Sequence, residues 1–254
     1  MNLPRSETPD ALHNRLLDAL GETACPELAR WIPHLEPVEL RCGQVLCESG
    51  VTPDYAYFPT TAIISLVYLT QDGASAEIAV VGNDGVVGIS IFMGGIATPN
   101  RAVVQSAGRG YRLRAQAVKD EALCAGPVLK VLLGYAQTLI AQVAQTAACN
   151  SQHSLSQRLA RWLLLAHDRM DGDELALTQE FLGIMLAVRR AGVTNALGLL
   201  QAVAVIDQRR GRVIVRDRPG LEAAACGCYG RVQAFAAVMA ARTSGTMDPT
   251  DLAA

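Results

Sequence analysis

The segment Thr178–Glu222, TQEFLGIMLAVRRAGVTNALGLLQAVAVIDQRRGRVIVRDRPGLE, decides how this chain is read. Thr178 can cap a helix N-terminus, and Phe181, Leu182 and Met185 give the residues after it an apolar face at helical spacing. A second helical period begins after Ala187 and Val188. Val193, Ala196, Leu197, Leu200 and Val203 fall on one face of it, and Arg190, Ala191, Thr194, Asn195 and Gly198 on the other. That outward face is small and polar, which suits a DNA major groove, where a bulky surface is excluded and an acidic one is repelled by phosphate. Val205-Ile206 then leads through Asp207-Gln208-Arg209-Arg210-Gly211-Arg212, a turn centred on glycine, into a returning strand, Val213-Ile214-Val215. Helix, tight turn, helix and basic hairpin are the outline of a winged helix-turn-helix.

Charge supports this locally and not globally. The whole chain carries a formal charge of -2, so overall basicity does not point to nucleic acid. Between Arg189 and Arg218, however, Arg189, Arg190, Arg209, Arg210, Arg212, Arg216 and Arg218 stand against Asp207 and Asp217, a local balance of +5. Arg189 and Arg190 at a helix N-terminus place guanidinium forks where phosphate or guanine edges fit them. The competing explanation is a solvated arginine-rich surface; the helix-turn-helix period and the attached hairpin favour the DNA reading.

These residues resemble a known family. Thr178 to Ile206 is similar, without gaps, to the helix-turn-helix of the cyclic-AMP receptor protein and fumarate-nitrate regulator (Crp/Fnr) family, and RGRVIVRDRPGLE resembles its wing. Gln157-Arg158-Leu159-Ala160-Arg161-Trp162-Leu163-Leu164 looks like the helix that precedes the reader in these proteins. Arg189-Arg190-Ala191-Gly192-Val193-Thr194, and Gly220-Leu221-Glu222 through Cys226-Gly227-Cys228-Tyr229, resemble a subgroup with no agreed ligand. The resemblance covers most of the chain and is most specific in the DNA reader. It implies a β-roll sensor, a dimer helix and a reader working in two-fold pairs.

The rest of the sequence accords with that organisation. At 254 residues, half of them apolar, the chain can bury a full core in one or two units. No uninterrupted apolar run reaches the ~18 residues of a membrane span, and the start, MNLPRSETPDALHNRLL, has no apolar signal core, so a cytoplasmic protein is expected. Asn14–Leu20 and Pro26–Trp31 suggest short helices. Between about Pro37 and Leu113, alternating apolar residues are broken by Gly43, Gly50, Gly73, Gly82, Gly85, Gly94, Gly95 and Gly108, which indicates short strands in a β-roll of jelly-roll type.

Gly82-Asn83-Asp84-Gly85-Val86-Val87-Gly88 lacks both the GxGxxG spacing and a GK[ST] ending, so it reads as a turn rather than a phosphate loop. In the cyclic-nucleotide branch of the family this loop leads to a glutamate that holds the ribose and an arginine that holds the cyclic phosphate. Here Ile89, after Gly88, stands in the glutamate's place, and Arg101 lies one position out of register. Gly88, Ile89 and Arg101 are therefore the candidate effector residues. An unpartnered buried hydroxyl costs about 1–3 kcal/mol, so cyclic AMP and cyclic GMP are not expected as cofactors, and none other is identified.

From Pro127, Leu129, Leu132, Ala136, Leu139, Val143 and Thr146 recur at alternating steps of three and four, flanked by Leu133, Ile140 and Ala147. The seam assigns Leu132, Ala136, Leu139 and Val143 to a dimer interface; the alternative is a core helix packed wholly inside the subunit.

The cysteines are Cys25, Cys42, Cys47, Cys124, Cys149, Cys226 and Cys228, an odd and scattered set that reads as free thiols. The N-terminal cysteine run of the family's oxygen-sensing branch is represented only by Cys25, so no iron–sulfur switch is expected. Cys226-Gly227-Cys228 is the one tight pair, and two thiolates alone do not close a tetrahedral site, so packing is favoured and no metal is assigned. His13, His34, His153 and His167 lack HExxH spacing, no GxSxG serine is present, and Asp168, Asp171, Asp173 and Glu174 look like a solvated loop, so no catalytic residues are assigned.

The reading is an α+β chain: a β-roll domain of cyclic-nucleotide-binding type with N-terminal helices over 1–126, a dimerisation helix over 127–151, a winged helix-turn-helix over 152–235, and a C-terminal helix or tail over 236–254. Its expected partners are double-stranded DNA at a pseudo-palindromic operator and a second copy of itself, with RNA polymerase a further candidate and no membrane. Arg190 is assigned to guanine, Arg189, Thr194 and Asn195 to bases or phosphate, and Arg209, Arg210 and Arg212 to the backbone. The family's reader commonly has a glutamate where Ala191 stands, so its base preference does not carry over. A sensor acting through a protein partner and an enzyme with an unrecognised β-roll site are the competing classes.

Overall fold

The computed structural model describes residues 13–22, 30–71, 73, 75–170 and 172–243. Residues 26–29 of the second expected N-terminal helix, Cys25, Asp171 and the tail from 244 lie outside the described residues. The first helix, α1 (Arg15–Glu22), is entered by Asn14, whose buried amide donates to the Pro59 carbonyl at 2.8 Å and the Gly85 carbonyl at 3.0 Å. One side chain thus ties the helix to two turns of the roll, with its own Oδ1 accepting from the Leu17 amide.

The roll consists of β1 (Glu36–Leu40), β2 (Val45–Cys47), β3 (Tyr55–Pro59), β4 (Ile63–Leu69), β5 (Ser75–Val81), β6 (Arg101–Ser106) and β7 (Gly108–Arg114). Two antiparallel sheets, ordered β1-β7-β3 and β2-β6-β4-β5, enclose the core. Strand alternation turns Ala56, Phe58 and Leu113 inward with Trp31, Val86 and Val131, while Ile64, Val81 and Val104 line the other sheet. After β5 the Gly82–Gly85 segment is a tight turn, as its sequence suggests, closed by the Gly85 amide on the Gly82 carbonyl. Gly88 then adopts φ +107°, a left-handed conformation that favours glycine, and starts the short 3-10 turn Ile89–Ile91.

A helix, α2 (Ala115–Leu123), leads to the 26-residue α3 (Pro127–Gln152). Its packing corrects the assigned dimer seam. Leu132, Ala136 and Leu139 are buried inside the subunit, and Val143 packs on the same core, because the roll covers that side of the helix. The uncovered stripe lies one residue round the helix: Leu133 (44 % exposed), Gln137, Ile140 (53 %), Ala144, Ala147 and Ser151, at steps of four and three. By length and composition α3 is also apolar enough to cross a membrane, which a count of uninterrupted apolar residues does not reveal; α1, β5 and the last helix pack on it, and a third of its most apolar stretch is buried in the chain.

The C-terminal half comprises α4 (Leu155–His167), β8 (Glu174–Ala176), α5 (Gln179–Met185), α6 (Arg190–Ala202), β9 (Ile206–Arg209), β10 (Arg212–Val215), α7 (Arg218–Ala224) and α8 (Cys228–Thr243). Ser154 opens α4 with a reciprocal capping box to Gln157. Leu159, Leu163, Leu182, Val193, Leu197, Val213 and Leu221 share a core that continues into Ile63, Val67 and Val80 of the roll. Across that junction Trp162 Nε1 donates to the buried Glu77 carboxylate, and Arg169 pairs with Asp84 at 2.7 Å.

Two local expectations change here. Asp168 is not part of a solvated loop: its carboxylate accepts from Arg218, Tyr229 and Gln233. Glu174 belongs to a third strand of the wing sheet, ordered β8-β10-β9.

Candidate nucleic-acid interface

Thr178 caps α5, its hydroxyl accepting from the Phe181 amide at 3.1 Å. The turn to α6 is tight for two reasons. The Val188 amide returns to the Gly183 carbonyl at 2.9 Å, and a Cβ on Gly183 would stand 3.0 Å from the Val188 oxygen, so a larger side chain would require the turn to open slightly. Ala187 supplies the reversal at φ +52°, a left-handed conformation that costs an alanine of order 1 kcal/mol. Arg189 occupies the N-cap of α6 and Arg190 its first turn.

Val193, Ala196, Leu197 and Leu200 anchor α6 in the core. Arg189, Arg190, Ala191, Thr194, Asn195 and Gly198 are exposed together on the opposite face, with Leu199 beside them. Val203, expected on the buried face, is instead exposed at the C-cap, because α6 ends there and Ala204 turns left-handed at φ +59°. Gln179, which the sequence reading passed over, accepts from Thr194 Oγ1 at 3.0 Å and from Arg190 Nε at 3.4 Å. It orients both side chains from the neighbouring helix. Its place as the first residue of α5 was the available signal.

A groove of about 720 Å³ runs between α6 and the hairpin, walled by Gln179, Arg190, Gln201, Arg209, Arg210 and Arg212. The hairpin arginines differ in what holds them. Arg212 pairs with Glu174 at 2.6 Å, and Arg209 approaches Asp207 at 3.4 Å. Arg216 hydrogen-bonds Asp207 and, with Arg209, holds that carboxyl below its ordinary range. Arg210 sits exposed at the tip, with no ion pair among the described residues. Arg218 is not a groove cation. Its guanidinium reaches Asp168 at 2.6 Å, the Tyr229 hydroxyl at 2.7 Å and Glu222 at 3.0 Å, locking α7 and α8 onto the end of α4. The exposed charge facing the groove is therefore smaller than the count of arginines.

The roll holds a second feature, a cavity of about 460 Å³ between its sheets and α3. Gly88 and Ile89 line it, as do Tyr55, Tyr57, Met93, Leu139, Ile140 and Val143. Arg101 does not, which corrects its assignment as an effector residue: it points out and pairs with Glu48 at 2.7 Å. Strand alternation explains this, since its neighbour Ala102 takes the inward position in β6. Burial raises the Tyr57 hydroxyl and the Cys47 thiol on the cavity wall, so both stay neutral near pH 7.

The local geometry defines a class, a winged helix-turn-helix, and comparison with known proteins narrows it. Residues 157–224 match the Crp-like helix-turn-helix domain. The chain shares its fold with FixK2 from Bradyrhizobium japonicum (TM-score 0.66, 16% identity, 76% of this chain and 98% of that one). It shares it also with TTHA1359, a CRP/FNR-family transcriptional regulator from Thermus thermophilus (TM-score 0.60, 20% identity, 75% and 98%). A third is the c-di-GMP responsive global regulator CLP of Xanthomonas campestris (TM-score 0.58, 14% identity, 75% and 98%). A search of curated protein sequences gave no match. Residues 157–224 thus form a Crp-like helix-turn-helix domain, and the chain as a whole has the fold of these three regulators.

Proposed function

We propose that this protein is a sequence-specific transcription regulator that binds a pseudo-palindromic operator as a homodimer and answers to an apolar effector in the β-roll. The observation that carries the reading is the two-sided α6: four apolar residues in the core, and Arg189, Arg190, Thr194 and Asn195 presented on one exposed face beside a basic hairpin. Such a face reads base edges while the hairpin holds the backbone.

The exposed stripe of α3 supports the dimer, and paired readers on one duplex face call for half-site centres about 10 bp apart. Ile140 belongs both to that stripe and to the wall of the roll cavity, so an occupant of the cavity pushes directly on the seam. The cavity wall is mainly aliphatic and aromatic, with Ser90, Thr98 and Asn100 as its polar groups and no arginine for a cyclic phosphate, which favours an uncharged, largely apolar ligand over cyclic AMP or cyclic GMP.

A gel shift on the DNA upstream of the protein's own coding region, repeated over a range of salt, tests the DNA reading: the logarithm of the affinity should fall linearly with log salt, and the affinity should exceed that for random DNA. Equal affinity for both would refute sequence-specific binding. Titration calorimetry with both cyclic nucleotides tests the cavity; micromolar or tighter affinity coupled to a gain in DNA binding would overturn the apolar assignment.

A further inference from the structure

Where α3 ends, three thiols and an imidazole converge. Cys149 lies in its last turns and His153 caps it one turn later, the two being four residues apart on one helix face. Cys226 lies in the link between α7 and α8, and Cys228 is the first residue of α8. Cys149 Sγ stands 3.4 Å from Cys226 Sγ, and Cys228 Sγ 3.6 Å from His153 Nδ1. All four ligand atoms lie within 4.8 Å of one another.

With metal–sulfur bonds of about 2.3 Å and a metal–nitrogen bond of about 2.0 Å, a tetrahedral site has ligand–ligand edges of about 3.5–3.8 Å. The two close pairs already stand near that spacing, and the cluster closes on one ion with small side-chain rotations.

Two polar side chains face this cluster of sulfurs, Arg161 and Gln145. The three cysteines are buried, yet they form a cluster of their own, separate from the aliphatic cores that absorb the other buried apolar residues. Arg161, only 4 % exposed, lies near Cys149 and Cys228 with its Nε and Nη1 making no hydrogen bond. Gln145 Nε2 is directed at Cys228 Sγ at 3.0 Å, an N–H donor of the kind that orients a metal-bound thiolate. A metal–thiolate centre of net negative charge would give this buried guanidinium a counter-charge on the side of the cysteines.

We propose that Cys149, His153, Cys226 and Cys228 form a closed Cys3His site for a single thiophilic divalent metal ion, Zn2+ by its donor set, which pins the end of α3 to the start of α8. On binding, each thiol releases its proton to solvent and His153 stays neutral, so the dication and three thiolates carry a net charge of -1 opposite Arg161. Four protein ligands leave no open position, which makes the site structural. It staples the helix that carries the exposed stripe to the last helix of the reader half, across 77 residues of sequence.

The test uses the full chain purified under reducing conditions without chelator. Elemental analysis should find one zinc per chain. After chelation, Co2+ should restore one equivalent and give the visible d–d bands of a tetrahedral thiolate complex. Cys228→Ser and His153→Gln should each abolish that spectrum, whereas Cys124→Ser, at an exposed thiol, should leave it intact. Gln145→Leu should retain the spectrum and weaken the metal about tenfold. A chain that takes up neither ion while all its thiols react freely, or one in which mass spectrometry finds Cys149 and Cys226 joined as a disulfide, overturns the proposal. Because the readouts are metal content and spectrum, they are independent of whether DNA is bound.

Discussion

Glu77 is the buried acid at the junction of the roll and the reader, and neutralising it provides a quantitative test of how the two halves are joined. Its carboxylate accepts from Trp162 Nε1 through Oε1, while Oε2 is buried without a partner. The neighbouring Ser65 hydroxyl donates to Gln105 Oε1, and Arg161 and Arg169 are the cations facing the site. Burial outweighs these groups and lifts the carboxyl from its ordinary 4.5 to about 7. In the folded chain Glu77 therefore holds its proton up to about pH 7, whereas in the unfolded chain it loses it near 4.5. Between those values the native state binds more protons, so stability falls as pH rises. At about 1.36 kcal/mol per pH unit, that window corresponds to a loss of about 3 kcal/mol. Glu77→Gln keeps an acceptor for Trp162 and has nothing to ionise. Urea unfolding followed by tryptophan fluorescence from pH 4 to 8 should show the variant and the parent diverging through this window, with the variant the more stable above pH 7. Parallel profiles would refute the assignment of a buried, neutral Glu77.

Arg190→Ala should cost about 1–3 kcal/mol on the cognate site and much less on random DNA, while Arg210→Ala should weaken both and lower the salt slope by about one; equal losses for Arg190→Ala on both DNAs would remove it from base reading. On α3, Ile140→Glu should leave a folded monomer with weak operator binding, whereas Leu139→Glu should give no such clean dissociation and instead unfold the subunit, its charge being buried in the core. Sedimentation and circular dichroism separate these outcomes, and a normal Ile140→Glu dimer would place the interface elsewhere. Ala187→Gly should raise stability by about 1 kcal/mol, read from denaturant midpoints, because glycine adopts the left-handed turn without strain; a loss of stability would show that the turn is relaxed.

What the chain determines by itself is the reader. The cap at Thr178, the tight turn and the two helical periods arise between residues a few positions apart, so local propensity and spacing specify them. The strands of the roll are legible for the same reason, from alternation and glycine breaks. Which face of a helix is used is not local. Leu132 and Leu133 are the same residue type in adjacent positions, and either begins an apolar seam; only the sheets packed over Leu132 leave Leu133 outside. Arg101 and Arg218 likewise read as available cations until Glu48 and Asp168 arrive from distant segments. The same holds for the thiol cluster. The Cys149–His153 spacing and the Cys226–Cys228 pair are each too small to define a metal site, and their meaning depends on the docking of α8 against the end of α3. Contacts of that range are set by which surfaces the whole chain can bury together, and no window of sequence contains them.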